Sequence, residues 1–571
     1  MNPPLGVDFS LNALFQRSSV AGPPLKVGLV LPPTGPTQVA RRVVEDIVES
    51  NFATICCVIH RDPAERAVGI LPDDLCGAAA SSSLLLRAYC RWLDSPHRRE
   101  PDPLAVVELG ALLRGIAVID LRGTNTSANA GLRDLALDVI VNLDAHSNSE
   151  TLAEFARHGV WSMRYGNLEG HDSAPLFDEV FEERAASHAW LLSHHSPSAD
   201  PLVLSEVTLA TTRTLSVSAN RFDVCWSAQH FVIHNLFRLH ATGRMPAGRS
   251  IKLPARTRAP ARGNAQLARA LLPAMRRAVA ERSARDEVVH WRVGLRRAST
   301  PLFNAQGTDA LGEFTWLQSP PGVFWADPCL ISHGSETWIF FEQSTHETQH
   351  GAILCARLRA DGSLDDMRVA LARPYHLSYP QVFEAEGAIW MIPETRRAER
   401  VELYRCVTFP DVWQLECPLL DVRAIDPTVF QWNSRWWMFL SSAAVSKQSP
   451  ITWLFSSPQL TGPWRIHPAS PVCTDARWSR GAGRVIQDGQ RLLRPSQDCL
   501  RMYGYSVTFN EITRLDEERY EERPGRTIEP PPAVGMLGFH TYSRAGDWEA
   551  IDAQYRVARA EVHAPAQAVG T

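Results

Sequence analysis

The chain has 571 residues, of which 45% are hydrophobic and 21% charged, and its net charge is −4. This length predicts two to four domains rather than one core, and the nearly balanced charge excludes a molecule built as a whole to bind polyanions such as nucleic acid. No run of about 18 apolar residues is present, so we expect no membrane-spanning helix.

The 11 cysteines are scattered and include no C-x-x-C pair. This distribution is typical neither of a disulfide framework nor of a zinc site. The pair His194-His195 has no carboxylate or cysteine at ligand spacing, so no metal site is predicted. Residues 1–17 lack the long apolar stretch of a signal peptide. We therefore expect a reducing, cytoplasmic location.

Beyond a loose tail at residues 1–21, the N-terminal half alternates short apolar runs with helical patterns. Buried parallel strands are predicted at residues 26–31, 53–59, 116–121, 138–143 and 159–163. Val39, Val43 and Ile47 have helical spacing, and a second helix is predicted over residues 151–157. The pattern predicts a doubly wound α/β domain over residues 22–240. No G-x-G-x-x-G or P-loop follows the first strand, so dinucleotide and P-loop binding lack support.

Residues 241–289 are predicted to form a basic linker. The stretch 241–300 holds 14 Lys or Arg against 3 Asp or Glu. Asn264 is a suitable cap for a helix over residues 265–282, which Pro273 would kink or split. The segment is either a linker with a packing helix or a tether to an anionic partner, such as a lipid head group or a phosphorylated substrate.

The clearest signal is a repeat in the C-terminal half with a period near 50 residues. In the first copy Pro328 is followed ten residues later by Trp338 and four residues after that by Glu342. The same intervals separate Pro380, Trp390 and Glu394, then Pro427, Trp437 and Ser441, and more weakly Gly483, Leu493 and Gln497. This period, with two clear strands per unit and a fifth, poor copy near His540, predicts an all-β propeller of five blades over residues 290–560. Residues 561–571 are a tail.

Each repeat is an antiparallel hairpin, so the start of its first strand and the end of its second strand lie on the same face. Carboxylates that share a pocket shift each other's pKa, which places an acid beside a base, and paired carboxylates serve glycosidic-bond chemistry. We predict that Asp327, Glu394 and Asp426 form the catalytic centre. The predicted substrate-binding residues are Glu342, Tyr379, Arg494, Gln497, Asp498 and His540. The alternative is that the Asp-Pro pairs only cap turns and that the tryptophans pack the blades.

Several motifs occur in an order that resembles a known propeller module: FWADPCLI with WIFFE, RPYHLSYPQVFE with WMIPET, VELYR, AIDPTVF and RPSQD. The module occurs in the N-terminal region of plant glucosamine inositolphosphorylceramide transferase and in bacterial proteins where it follows a formyltransferase-like domain. Its fold resembles glycoside hydrolase family 43, which uses an Asp base, an Asp modulator and a Glu acid on blades one, three and four. Asp327 and Asp426 match the first two positions, whereas the fourth repeat offers Gln497 and Asp498 instead of Glu.

The N-terminal half resembles folate-dependent formyltransferases through DVIVNL, a helix and GVWSMRYGNL. Where that family carries Asn-x-His, this chain has Ser162 and Arg164, and Asp200 lies near the family's downstream Asp. These three residues are the predicted N-terminal pocket. Retained formyl transfer would imply 10-formyltetrahydrofolate as the cofactor. Without the His the usual acid–base chemistry has no carrier, while Arg164 suits a carboxylate or phosphate.

Together these patterns predict a carbohydrate-handling protein of glycan or glycolipid biosynthesis that binds sugar in the propeller and acts as a transferase or with one. Three alternatives stay open. They are a family 43-like glycoside hydrolase, a non-catalytic scaffold with a degenerate formyltransferase-like domain, and a sugar N-formyltransferase with altered residues.

Overall fold

The computed structural model divides the chain into two compact units, residues 1–278 and 279–571. It describes residues 10–32, 35–60, 88–94, 97–121, 126–144, 149–168, 176–182, 184–211, 216–253, 268–269, 271–273, 286–305, 309–348, 350–442, 451–531 and 535–562. Most of the predicted basic linker and of its helix lies outside these residues. Among the described helices, none has the length and apolar character that crossing a bilayer requires.

The N-terminal unit contains one eight-stranded sheet. Its strands are β1 (Leu25–Val30), β2 (Ala53–His60), β3 (Ala117–Asp120), β4 (Val139–Asn142), β5 (Val160–Tyr165), β6 (Ala186–His194), β7 (Leu202–Ala210) and β8 (Arg249–Ser250). The order β3-β2-β1-β4-β5-β6-β7-β8 changes direction between β1 and β4, as doubly wound folds do. Strands β1 to β5 pair in parallel, whereas β6, β7 and β8 add antiparallel pairs. The predicted α/β class is confirmed, and the antiparallel extension makes the sheet mixed.

Helical segments connect these strands. They are α1 (Ser10–Ala13), α2 (Gln38–Glu49), α3 (Thr126–Asp134), α4 (Phe177–Phe181), α5 (Val217–Ser227) and α6 (Phe231–Thr242), with a π turn at Cys90–Asp94 and a 3₁₀ segment at Ser149–Phe155. Helix α2 begins after Thr37, whose side chain accepts the N–H of Ala40, a standard N-cap. Val39, Val43 and Ile47 are all buried, so the predicted helical spacing is confirmed. The second predicted helix is the 3₁₀ segment.

The C-terminal unit is a five-bladed propeller, as predicted. Two strands, β9 (Glu287–Arg297) and β10 (Thr315–Trp316), precede the repeats. Blades I to III are β11 (Val323–His333), β12 (Glu336–Thr345), β13 (Gly351–Leu358) and β14 (Leu364–Leu371); β15 (Ser378–Ala385), β16 (Ala388–Glu394), β17 (Val401–Thr408) and β18 (Val412–Leu420); and β19 (Ile425–Trp432), β20 (Arg435–Ser442), β21 (Ile451–Ser457) and β22 (Arg465–Ile466). Short 3₁₀ turns lie at Asp309–Glu313 and Arg396–Ala398.

Blades IV and V have interrupted inner strands. Blade IV is β23 (Arg480–Gly481), β24 (Ile486–Asp488), β25 (Arg491–Gln497), β26 (Val507–Leu515) and β27 (Tyr520–Ile528), and blade V holds β28 (Met536–Gly538), β29 (Tyr542–Ala545) and β30 (Trp548–Ala558), followed by α7 (Arg559–Val562). Strand β9 pairs along the whole of β30, and β10 pairs with β9. Blade V therefore takes strands from both ends of the unit and closes the ring.

The turn residues and the tryptophans of the repeat form hairpin turns and pack the blades, as their spacing predicts. The hairpin turns place Gly334, Gly387, Asn433 and Gly489 at positive φ, the backbone that two-residue hairpin turns need. The repeat tryptophans Trp338, Trp390 and Trp437 are buried. Trp338 and Trp437 each join an apolar cluster of the propeller. The tryptophans thus pack the blades, which leaves the polar strand ends to form the face of the propeller.

Candidate functional site

Blades I, II and III share a bulge at the residue that precedes the strand's proline. Asp327, Tyr379 and Asp426 have φ angles of 54°, 46° and 49°, and each inner strand shifts register against its neighbour at this point. A non-glycine residue in this left-handed region costs on the order of 1–3 kcal/mol, and bulges next to functional sites re-aim side chains. The repeat therefore places three strained residues at equivalent positions on the inner strands.

Asp327 lies in a network with the inner strand of blade V. One of its carboxylate oxygens accepts the Tyr379 N–H at 3.1 Å, and the other accepts the Thr541 hydroxyl at 2.8 Å. Nδ1 of His540 lies 3.8 Å from this second oxygen. The His540 ring is stacked on Trp291, with ring centroids 4.0 Å apart. Residues of two other segments of the chain, at Tyr379 and at His540-Thr541, thus fix the position of one buried carboxylate.

The Asp552 carboxylate connects Asp327 to His540 and Thr541 through hydrogen bonds. One oxygen accepts the N–H groups of His540 and Thr541, and the other accepts the Asp327 N–H at 2.8 Å and lies 2.7 Å from Nδ1 of His540. Potential ligand atoms of Asp327, His540 and Asp552 lie within 4.8 Å of one another. Because each Asp552 oxygen is already engaged twice, the trio has the hydrogen bonding of a fixed acid–base network rather than of a cation site.

Asp426 forms a buried ion pair with an arginine of the next blade. Nε of Arg480 donates to its carboxylate at 2.6 Å. The Arg480 guanidinium also lies over the ring of Tyr503, 4.7 Å from its centroid, and the Tyr503 ring meets His540 edge to face at 5.2 Å. Tyr503 is half-buried, so an aromatic ring with partly open surface lies between the arginine and the histidine.

The Tyr379 hydroxyl links blades II, III and IV. It accepts the Gly483 N–H at 2.7 Å and shares a hydrogen bond of 3.1 Å with the Thr428 hydroxyl. Thr428 in turn donates to the carbonyl of Asp426 at 3.1 Å. A Cβ atom at Gly481 would lie 3.2 Å from this hydroxyl. A glycine therefore allows the backbone at residue 481 to lie close to the Tyr379 hydroxyl.

A small cavity lies among the inner strands of the propeller. Its lining includes Asp327, Tyr379, Gln381, Gly483, Arg484 and Thr541. Arg484 donates to the carbonyls of Leu330 at 2.6 Å, Val382 at 3.2 Å and Arg544 at 3.3 Å. One guanidinium of blade IV thus connects three other blades around the axis.

Burial and mutual repulsion raise the pKa values of the central carboxylates. Burial raises the pKa of Asp426 to about 6, and the charge of Glu394 adds to the rise against the opposing Arg480 guanidinium. Burial likewise raises the pKa of Asp327, and the Asp426 charge adds to it while His540 opposes it. The charge of Asp426 thus acts on Asp327 and that of Glu394 acts on Asp426, while a catalytic centre of these three residues stays a prediction.

The environment of His540 has opposing effects on its charge. Burial lowers the pKa of His540, but the Asp552 carboxylate and the more distant Asp327 raise it by more, so that its net pKa lies above the ordinary value. The imidazole therefore holds a proton more tightly than a free histidine.

The other residues predicted to bind substrate have internal partners. Arg494 forms a two-pronged ion pair with Glu522, at 2.8 and 2.7 Å. The Gln497 amide donates to the carbonyl of Gly481 at 2.8 Å, and Asp498 accepts the N–H of the residue two positions on. These bonds hold blade IV together, so a ligand role for the three residues stays a prediction.

Glu342 lies on β12, near the end of the strand at Thr345. Its carboxylate is buried, and one oxygen is 3.6 Å from Nε2 of His376. This pair spans blades I and II, because Glu342 lies on the second strand of one blade and His376 precedes the first strand of the next. A role for Glu342 in binding sugar therefore stays a prediction.

The N-terminal pocket residues are not all neighbours. Ser162 is buried on β5 and accepts the Asn142 side-chain amide from the end of β4 at 3.4 Å, and Arg164 follows on the same strand, half-buried. Asp200 is exposed in the connection between β6 and β7. Because β6 runs antiparallel to β5, this connection, which follows His194, lies at the edge where β5 begins. The structure therefore does not bring Asp200 to the end of β5 that carries Arg164.

Four residues of the site are not predicted from the sequence: Trp291, Arg480, Tyr503 and Asp552. A signal exists for Asp552, because it follows Trp548 by four residues, the interval that separates the tryptophans of the first two repeats from Glu342 and Glu394. Arg480 and Tyr503 occupy an interrupted strand and a loop, where the repeat gives no register.

The fold and the site define the class of protein module. The C-terminal unit is a five-bladed β-propeller whose inner rim combines buried carboxylates with an arginine, a histidine and aromatic rings. Residues 314–528 match the family described as glucosamine inositolphosphorylceramide transferase 1, N-terminal. This match confirms the resemblance that the propeller motifs indicate.

Curated plant relatives align with the same part of the chain. Glucosamine inositolphosphorylceramide transferase 1 of Oryza sativa subsp. japonica is 36% identical over 211 residues, which is 36% of this chain and 28% of the rice protein. The Arabidopsis thaliana protein of that name is 33% identical over 210 residues, 35% of this chain and 27% of the relative. The similarity thus spans less than a third of each relative.

The solved structures to which the chain is similar include glycoside hydrolases. A family 117 enzyme of the marine bacterium Zobellia galactanivorans has a TM-score of 0.31 and 10% identity over 46% of this chain and 90% of that one. A GH43_1 enzyme from Xanthomonas citri has a TM-score of 0.33 and 12% identity over 42% of this chain and 90% of that one. Scores of this size support no statement about the reaction.

Proposed function

We propose that the propeller binds the sugar part of a glycolipid or of a glycosyl donor, and that the protein acts in glycan or glycolipid biosynthesis as a transferase or with one. One observation carries this proposal: the stretch that matches the transferase family contains Asp327, Glu394, Asp426, Arg480 and Tyr503, which meet at the inner rim. The relatives' names give glucosamine and inositolphosphorylceramide as the chemistry to test.

The side chains at the inner rim have the chemistry that recognises a sugar ring. Tyr503 offers a flat apolar face, and the carboxylates of Asp327 and Glu394 are acceptors for hydroxyl or amino groups. Because the alignment covers 28% of the rice protein, we assign binding to these residues and leave the transfer step unassigned.

Glycoside hydrolysis is the second candidate, and the raised pKa values of Asp327 and Asp426 favour it. Two contacts weigh against it. Asp426 is paired with Arg480, and blade IV presents Gln497, whose amide is bonded to Gly481, where the family 43 resemblance expects an acid. A screen of aryl arabinosides, xylosides and galactosides across pH tests this candidate, since a bell-shaped profile would favour hydrolysis.

A non-catalytic scaffold is the remaining possibility for both halves. For the N-terminal unit we propose a binding role without formyl transfer, because Ser162 and Arg164 stand where the formyltransferase family carries Asn and His, and Ser162 is buried against Asn142. Calorimetry with a folate analogue tests this, and heat of binding at millimolar concentration would contradict it. A cytoplasmic location and an anionic partner of the basic segment stay predictions.

Saturation-transfer NMR of the full chain with glucosamine and with myo-inositol tests sugar binding directly. We expect saturation transfer to at least one of them, and a roughly five- to tenfold loss of affinity in Tyr503→Ala, because the stacked face is removed. Tyr505→Ala is the matched control, since Tyr505 lies in the same loop but contacts Arg501 instead. No transfer to either sugar, or equal losses in the two variants, would rule the proposal out.

A further inference from the structure

The turn that follows β16 brings several arginines to the rim of blade II. Three guanidiniums around it have a carboxylate partner: Arg480 pairs with Asp426 and Arg400 with Glu402, each at 2.6 Å, and Arg423 pairs with Glu399. The last pair ties the turn to the segment that enters β19, so the turn lies beside the strand that carries Asp426. Blades II, III and IV thus contribute charges to one region.

Two arginines of the same turn differ from these three. Within the part of the chain that the structure describes, the side chains of Arg396 and Arg397 have no hydrogen bond or ion pair. Arg396 is half-buried and Arg397 is exposed. The Glu394 carboxylate, two residues before Arg396, is also without such a partner among the described residues. A half-buried cation and a buried carboxylate thus lie in this turn without a hydrogen bond or ion pair among the described residues, although their charges attract each other.

The surroundings of Arg396 disfavour its own charge. Burial lowers the pKa of Arg396, and the guanidiniums of Arg480, Arg397 and Arg423 lower it further, while Glu394 alone opposes them. Glu394 opposes three neighbouring guanidiniums, so a second anion would further stabilise the half-buried cation. A guanidinium binds oxoanions with two parallel hydrogen bonds, which makes it the preferred residue for phosphate recognition.

We propose that Arg396, with Arg397 beside it, forms an anion-binding subsite that holds the phosphoryl group of the sugar ligand at the rim of blade II. This inference rests on the proposed sugar binding and adds the ligand's charge class and the residues that read it. Two unpaired guanidiniums match the several oxygens of a phosphate ester better than a single carboxylate. The same phosphoryl chemistry occurs on a soluble sugar phosphate and on a lipid head group.

Titration calorimetry of the full chain with myo-inositol 1-phosphate and with neutral myo-inositol tests the subsite. We expect the phosphate ester to bind about tenfold tighter or more, and added salt to weaken only the ester. Arg396→Gln should remove most of that preference without changing binding of myo-inositol, and Arg396→Lys should keep part of it. Arg405→Gln, an exposed arginine on β17 of the same blade, is the control and should change neither affinity.

Vesicle binding and a carboxylate sugar test the source of the phosphoryl group and the assignment to Arg396. Sedimentation with phosphatidylcholine vesicles, with and without phosphatidylinositol, distinguishes a lipid head group from a soluble phosphate, and either source supports the subsite if Arg396→Gln weakens it. Equal binding of ester and inositol overturns the subsite and leaves sugar binding intact. A preference for the ester that survives Arg396→Gln, or equal preference for glucuronate, overturns the assignment. If neither ester nor inositol nor glucosamine binds, both proposals fall.

Discussion

The Asp426 carboxylate accepts a hydrogen bond of 2.6 Å from Nε of Arg480, and both side chains are almost completely buried. The two residues lie 54 positions apart and come from neighbouring blades. Their pairing neutralises one of the central carboxylates and also links blade III to blade IV. Asp426 therefore has a structural role whatever its part in binding.

Asp426→Asn should destabilise the propeller by about 3–5 kcal/mol, because it leaves the Arg480 guanidinium buried without its partner. The drop in melting temperature measures this. Asp426→Asn combined with Arg480→Met should recover much of the loss, since no charge is then left buried. Asp411→Asn removes one of the two carboxylate partners of the exposed Arg368, the other being Asp366, and should cost at most about 1 kcal/mol. Equal effects of Asp426→Asn and Asp411→Asn would contradict the role of burial.

Asp327→Asn should change the pH dependence of stability. The folded-state pKa of Asp327 is raised to about 6 by burial, so the folded protein binds this proton more tightly than the unfolded chain, and stability falls as pH rises from about 4 to about 6. Relative to the wild type, the variant should gain on the order of 2 kcal/mol over that window. Melting curves between pH 4 and 7.5 provide the comparison.

Asp361→Asn is the control for this pH dependence. Hydrogen bonds from Ser363 lower the pKa of the exposed Asp361, so any effect of its removal should have the opposite sign. If Asp327→Asn runs parallel to the wild type across the window, the carboxylate does not carry a raised pKa in the folded protein.

His540 should titrate above the ordinary value of 6.5, since Asp552 and Asp327 together outweigh the effect of its burial. Histidine NMR, with the resonance assigned through His540→Gln, measures the midpoint. Asp327→Asn should lower it. Because the folded pKa is raised, the stabilisation that His540 contributes is complete below pH 6.5 and is lost as pH rises through the raised midpoint.

His290 provides an internal reference for that titration. Burial, with the neighbouring His346 and Arg292, lowers the pKa of His290 to about 4, so its resonance should not move between pH 6 and 8. A His540 midpoint at or below 6.5 would contradict the proposed charge network.

Gly294→Ala should weaken closure of the ring by about 1–3 kcal/mol through overpacking. Gly294 lies on β9, and a Cβ atom there would be 2.8 Å from the ring of Trp316 on β10. Gly312→Ala is matched to it, because a Cβ at Gly312 has nothing within 4 Å, and it should change stability by at most about 0.5 kcal/mol. Urea unfolding of the two variants decides the matter; similar midpoints would argue against tight packing at β9.

Local spacing predicted the parts of the structure that depend on local backbone geometry. The interval from Pro328 to Trp338 encodes one hairpin, and its recurrence gives the blades. Asp327 and Asp426 each precede the proline that marks a repeat, whereas the bulge at both positions is visible only in the structure. Strand β9 has no place in the repeat, and its pairing with β30 is a contact between residues about 250 positions apart, which no periodicity reveals.

The chain's own order of residues determined the number of blades and which carboxylates reach the inner rim, because hairpin hydrogen bonds and side-chain alternation act over a few residues. Only the closed ring decided which charges neutralise each other. Asp426 forms an ion pair with Arg480, and Arg494 forms one with Glu522. Arg396 and Glu394 have no ion pair among the described residues. Ion pairing depends on distances between elements far apart in the chain, and those distances exist only after the blades have packed.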